Sequence, residues 1–234
     1  MELFQIKNFI QVAGIIDKKE ADLLIGIGVK YLGFPLRLPI NKEDLTEKYA
    51  AKIIKNIKPP AYGVIISYCS TANEALELCR KLGAGIIQLH GSIDIKELER
   101  IKSVNQTIKI IKSLIIKDND IDKLLNYINI TENFIDAFIT DSFDPKTGAT
   151  GATGKIHDWK ISRKIVRHSH KPVILAGGLN VNNVYEAILN VKPAGVDVHT
   201  GVEDFGGRKD KNLVQTFIRE ANRAFNFLEN IKYY

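Results

Sequence analysis

The sequence predicts an α/β fold, a (β/α)8 TIM barrel in one domain over residues 1–234. Short apolar, β-branched runs recur eight times, and the stretches between them carry helical periodicity. Strand and helix in alternation imply a parallel sheet, and eight such units are the number that closes a barrel. The first run is not followed by a G-x-G-x-x-G turn, which removes the dinucleotide-binding doubly wound sheet as a competitor.

The first strand is expected near Phe9–Ala13, with Asp17 capping the helix KKEADLLIGIG. A second strand, Tyr31–Phe34, leads to Asn41, the expected cap of KEDLTEKYAAKIIKNI, which ends at Pro59-Pro60. The third strand, Tyr62–Ile66, precedes Thr71 and ANEALELCRKLG. Strands four to eight are expected near Ile86–Leu89, Ile108–Lys112, Ala137–Asp141, Val173–Ala176 and Gly195–Val198. Asp158 and Trp159 open the helix after strand six as capping and packing residues. The last stretch, FIREANRAFNFLENIKYY, reads as an amphipathic helix whose apolar side covers the barrel or meets a partner.

Composition narrows the function. With 234 residues and 45% apolar content the chain can bury a sizeable core, and no run approaches the roughly 20 apolar residues of a membrane span. The start, MELFQIKNFIQVAGIID, lacks a basic leader and a small-residue cleavage site, so the cytoplasm is the expected location. Cys69 and Cys79 have no second pair nearby, which points to neither a disulfide framework nor a metal cluster. The net charge of +6 comes from lysines interspersed with acids along predicted helices. That pattern disfavours nucleic acid as a partner and suits attraction of a small anionic substrate.

Active sites of such barrels lie at the C-terminal strand ends, which here carry Ala13-Gly14, Arg37, Ser67 to Cys69, His90, Lys112, Asp141, Gly177-Gly178 and His199-Thr200-Gly201. LAGGL and HTGVE, after strands seven and eight, offer backbone N–H groups to an anion where this fold commonly holds phosphate. Asp141 is carried by an apolar strand into the glycine-rich segment FDPKTGATGATGK, in which TGATGATG reads equally as a closing lid or as an ordinary loop. By residue type alone Asp141 is a proton donor or a loop cap, and Lys112 a rim lysine.

Five stretches, IIQLHG at 86–91, ITDSFDP at 139–145, GATGKIHDW at 151–159, LAGGLNVNNVYEAI at 175–188 and GVDVHTGVEDFGGRKD at 195–210, resemble the phosphoribosylanthranilate isomerases of tryptophan biosynthesis. The resemblance covers nearly the whole chain. It implies an Amadori rearrangement of a phosphoribosyl amine without a cofactor, on a small phosphorylated substrate, by a monomer or homodimer. Asp141 becomes the acid that protonates the furanose oxygen, and a base must then remove the C2 proton.

Three departures accompany it. The family's cysteine base falls at Ala13, which takes no proton; this keeps open a different phosphorylated substrate or a noncatalytic phospholigand-binding role. The family's Ser-Ser-Gly after strand eight reads His199-Thr200-Gly201, and His199, on the strand face of Asp197, is the candidate replacement base, with Cys69 a lesser one. The family arginine that holds the anthranilate carboxylate corresponds to Arg37 in a shorter loop, with the match slipped by one position. His90 of QLHG is shared with the family and is expected near substrate.

Overall fold

Eight strands and eight helices alternate along the chain in a computed structural model that describes residues 6–38, 45–117, 121–142 and 157–231. The strands are β1 (Phe9–Ala13), β2 (Tyr31–Leu36), β3 (Tyr62–Ser67), β4 (Ile86–Leu89), β5 (Lys109–Ile116), β6 (Ala137–Ser142), β7 (Val173–Leu175) and β8 (Gly195–Val198). The helices are α1 (Lys18–Gly26), α2 (Glu47–Ile54), α3 (Ala72–Leu82), α4 (Ile95–Val104), α5 (Ile121–Thr131), α6 (Trp159–His168), α7 (Val184–Val191) and α8 (Lys211–Ile231). The strands pair in parallel in chain order, and β8 returns to β1 to close the barrel.

Alternation along each strand divides the apolar residues between two cores. Phe9, Val64, Ile86, Ile111, Ile139 and Ile174 fill the barrel, whereas Val12, Ile65, Ile87, Ile110, Phe138 and Val196 pack outward under the helices. The N-terminal end of the interior is plugged by aromatics: Phe9 stacks on Tyr31 at 4.0 Å between ring centroids, and Tyr31 on Tyr62 at 5.8 Å. Above the plug the interior turns polar. Gln11 Nε2 donates to Gln88 Oε1 at 3.1 Å, Gln88 Nε2 donates to Ser113 Oγ at 3.3 Å, and Ser113 Oγ meets His90 Nδ1 at 3.0 Å.

Two expectations are corrected. The second helix begins at Glu47, where the Thr46 hydroxyl accepts the Tyr49 N–H; a hydroxyl three residues before an unpaired helical donor is the capping geometry, and Asn41 lies outside the described residues. Strand five runs on to Ile116 because Ser113–Ile116 continue the ladder against Ile139–Ser142 of β6. The other caps agree with the sequence: Asp17 accepts from Glu20 N, Thr71 forms a reciprocal capping box with Glu74, and Asp158 accepts from Lys160 N.

At the β1–β8 seam the two backbones approach so closely that a Cβ on Gly195 would lie 2.6 Å from both Cβ and the carbonyl oxygen of Phe9. Gly195→Ala is expected to lower stability by about 1–3 kcal/mol through seam displacement, measurable by urea unfolding.

Candidate active site

Asp141 and Asp197 lie at the C-terminal ends of β6 and β8, 7% and 8% exposed. Val196 and Val198 pack into the outer core, so Asp197 between them faces the barrel interior. Burial raises the Asp141 carboxyl to about 7, against one favourable contact, the Ser142 N–H donated to its Oδ1 at 2.8 Å. Asp197 is also pushed up to about 7, first by burial and then by the charge of Asp141; a hydrogen bond from Gln11 and the charge of Lys209 pull the other way. Asp197 Oδ1 is buried without a hydrogen-bond partner. Each carboxyl therefore keeps its proton to about pH 7, well above the range of an exposed aspartate.

Ala13 is buried on β1, two residues past Gln11, the register partner of Asp197, and its neighbour Gly14 is turned into the left-handed region at φ 80°. The Gly14 and Ile15 N–H groups both donate to Gly33 O. The His199 imidazole packs on Gly14 so tightly that a Cβ there would meet Nε2 at 2.0 Å. This differs from the expected Asp197-oriented histidine. The chain leaves β8 after Val198, His199 adopts φ −121° and ψ −90°, and its Nε2 lies 3.5 Å from Glu203 Oε1 instead. Glu203 is engaged by the buried ammonium of Lys209. Burial and the Lys209 charge therefore drive the imidazole down to about 3, leaving it neutral.

The glycines after β7 and β8 converge. Gly177 and Gly178 take φ 94° and 66°, values that suit glycine. Gly201 approaches the preceding loop until a Cβ would stand 1.9 Å from Leu179 O, so only hydrogen fits. Asn183 fixes the β7 loop, donating from Nδ2 to Gly178 O and accepting from Asn180 N. Thr200 and Gly201 begin a short 3-10 turn over that loop. His157 lies 3.0 Å from where a Gly177 Cβ would be, its Nδ1 buried without a partner and its Nε2 2.6 Å from Ser162 Oγ.

The remaining predicted residues divide. His90 is buried at the mouth, held by Ser113 and edge-on to Tyr68. Arg37 follows β2 at φ 56°, and its Nε donates to Glu47 Oε1 at 2.7 Å. Lys112 is not a rim lysine. One residue after inward Ile111, it points outward beneath α5, donating to Leu89 O and Ser113 O with Tyr127's ring 5.9 Å away. Burial drops its ammonium to about 7. Cys69 belongs to the outer core, 3.4 Å from Ser67 Oγ. TGATGATG lies outside the described residues. Among the described residues, no group of three or more His, Cys, Asp or Glu side chains could hold a metal ion, and no helix is long and apolar enough to cross a membrane. Sequence reasoning assigned Asp197 only as a support for His199; its inward parity, opposite Gln11 in the β1–β8 register, was the signal for more.

Fold and site together define the class: a (β/α)8 barrel with an acidic pair in its mouth and a glycine cradle after strands seven and eight. The chain belongs to the N-(5'phosphoribosyl)anthranilate (PRA) isomerase family, whose profile matches residues 10–220. It is 33% identical over 223 residues to N-(5'-phosphoribosyl)anthranilate isomerase 2 of Methanosarcina mazei, covering 95% of this chain and 97% of that protein. Among solved structures, the dimeric phosphoribosylanthranilate isomerase of Thermotoga maritima, in a form described as mutually generated monomers, matches with TM-score 0.76 and 25% identity over 92% of this chain and 99% of that one. A phosphoribosyl anthranilate isomerase in complex with reduced 1-(o-carboxyphenylamino)-1-deoxyribulose 5-phosphate shares the fold at TM-score 0.75 and 24% identity, over 92% and 99% of the two chains.

The raised carboxyls tie stability to pH. A folded-state pKa above the unfolded value contributes stability that is fully present below pH 3.8 and lost as pH rises through about 7. Asp141→Asn is expected to flatten this decline and to stabilise the protein at pH 8 by on the order of 2–4 kcal/mol, read from urea melts at pH 5 and pH 8.

Proposed function

We propose that the protein is a phosphoribosylanthranilate isomerase, catalysing the aldose–ketose rearrangement of N-(5'-phosphoribosyl)anthranilate. The observation that carries this reading, within a chain of this family, is the buried Asp141 carboxyl, which burial keeps protonated up to about pH 7. Protonating the furanose oxygen requires an acid still holding its proton at working pH, and an exposed aspartate has lost it. Once that oxygen is protonated, the anilino nitrogen's lone pair opens the ring to an iminium, and C2 becomes acidic enough for a carboxylate to deprotonate.

Substrate placement follows from the mouth. The N–H groups around Gly177, Gly178, Thr200 and Gly201 take the phosphate, since the loops after β7 and β8 pack together, Gly201 against Leu179 O, where this fold commonly holds one. Arg37 takes the anthranilate carboxylate by exchanging its contact with Glu47 for the ligand's, and His90 borders the sugar. We assign no proton transfer to His199, because an imidazole held near 3 is a weak acceptor. The reading needs no cofactor, and it places the enzyme in the cytoplasm as a monomer or homodimer.

Fluorescence-monitored loss of freshly generated phosphoribosylanthranilate, with product mass confirmed, tests the assignment. Wild type is expected to turn over, and Asp141→Asn to lose about 10²- to 10⁴-fold in kcat. Ligand affinity without turnover in the wild type contradicts it.

A further inference from the structure

We propose that Asp197 is the general base of this isomerisation, taking from β8 the role that alanine at position 13 of β1 cannot fill. The proposal rests on the isomerase reading. Gln11 and Asp197 are register partners across the closing seam, and Ala13 lies two residues beyond Gln11 on the same inward face. Ala13 ends at Cβ, so position 13 itself offers no proton acceptor to the barrel mouth. Asp197 Oδ1 is buried and without a partner, in a residue more than nine-tenths buried; a carboxylate oxygen left unsatisfied in the interior calls for a ligand or a proton.

Gln11 and the positive charge of Lys209 favour the ionised form of Asp197, the Ser142 N–H favours that of Asp141, and an ionised Asp141 holds the proton on Asp197. The reaction starts from the state in which Asp141 carries the proton and Asp197 is the carboxylate. The other ionisable groups nearby do not compete: His199 is neutral, and Glu203 faces Lys209.

The step balances. Asp141 gives its proton to the furanose oxygen as the C1–O bond breaks and the nitrogen lone pair forms C1=N. Asp197 then takes the C2 proton, the C2–H electron pair becomes C1=C2, and the C=N π pair returns to nitrogen. Asp197 returns its proton to C1, while Asp141 accepts the proton from the C2 hydroxyl as the ketone forms. Both carboxyls end in their starting states, and no oxidant or reductant is consumed.

The test is steady-state turnover of phosphoribosylanthranilate by the full chain as wild type, Asp197→Asn, His199→Asn, Ala13→Cys, and Asp197→Asn combined with Ala13→Cys. Affinity for the reduced product analogue serves as the readout of folding and binding. Asp197→Asn is expected to lose about 10²- to 10⁴-fold in kcat with analogue affinity within about threefold of wild type, and His199→Asn to lose less than about tenfold. A thiol at position 13 is expected to restore at least about tenfold to Asp197→Asn and to add less than about threefold to the wild type, a difference that a merely structural role for Asp197 would not produce. The proposal is overturned if Asp197→Asn keeps more than about a tenth of wild-type kcat, if the thiol restores nothing, or if the loss falls on His199→Asn. A wild type that binds the analogue without turning over substrate overturns the isomerase reading itself.

Discussion

Two carboxyl groups withdrawn from water in one barrel mouth set the terms for the rest of the site. An exposed aspartate is ionised at neutral pH and useless as an acid. Asp141 escapes this because the barrel wall desolvates it, and Asp197 escapes for the same reason with Asp141's charge added. The pair is costly to bury: Gln11 and Lys209 favour the ionised form of Asp197, and burial and the charge of Asp141 oppose it. In the proposed reaction two chemically identical side chains serve as acid and base.

The interior below supports this arrangement. Aromatic stacking closes the N-terminal end, and the Gln11–Gln88–Ser113–His90 chain forms a polar layer between plug and mouth. Gln11 belongs to both systems, bonded to Gln88 and turned toward Asp197, so the layer that orders the barrel also tunes the carboxylate. The cradle is built on the same economy of space. Gly201 sits against Leu179 O and Gly14 against the His199 ring, each at a separation that only hydrogen permits.

Most of the fold was legible because a barrel writes itself in parity. Inward and outward residues alternate, and the apolar runs gave all eight strands to within a few residues. Asp141 was legible because it ends such a run. What escaped were places where parity breaks or was not followed. Lys112 is one step from inward Ile111, so alternation already sends it outward, although its position at a strand end suggested the rim. His199 was assigned the face of Asp197, but the strand stops at Val198 and the backbone turns the imidazole onto Gly14 and toward Glu203. The contacts of Asp197 with Gln11, Asp141 and Lys209 join residues distant in sequence, and no local pattern announces them.

The assignment of Asp197 as base is tested most directly by a crystal structure of the protein with the reduced product analogue, which shows the group that meets C2. It predicts an Asp197 carboxylate oxygen within about 3.5 Å of the C2 carbon, Asp141 in hydrogen-bonding reach of the oxygen that closes the furanose, and His199 still packed on Gly14. A complex in which the His199 ring swings off Gly14 to contact C2, with Asp197 remote from the sugar, would contradict it.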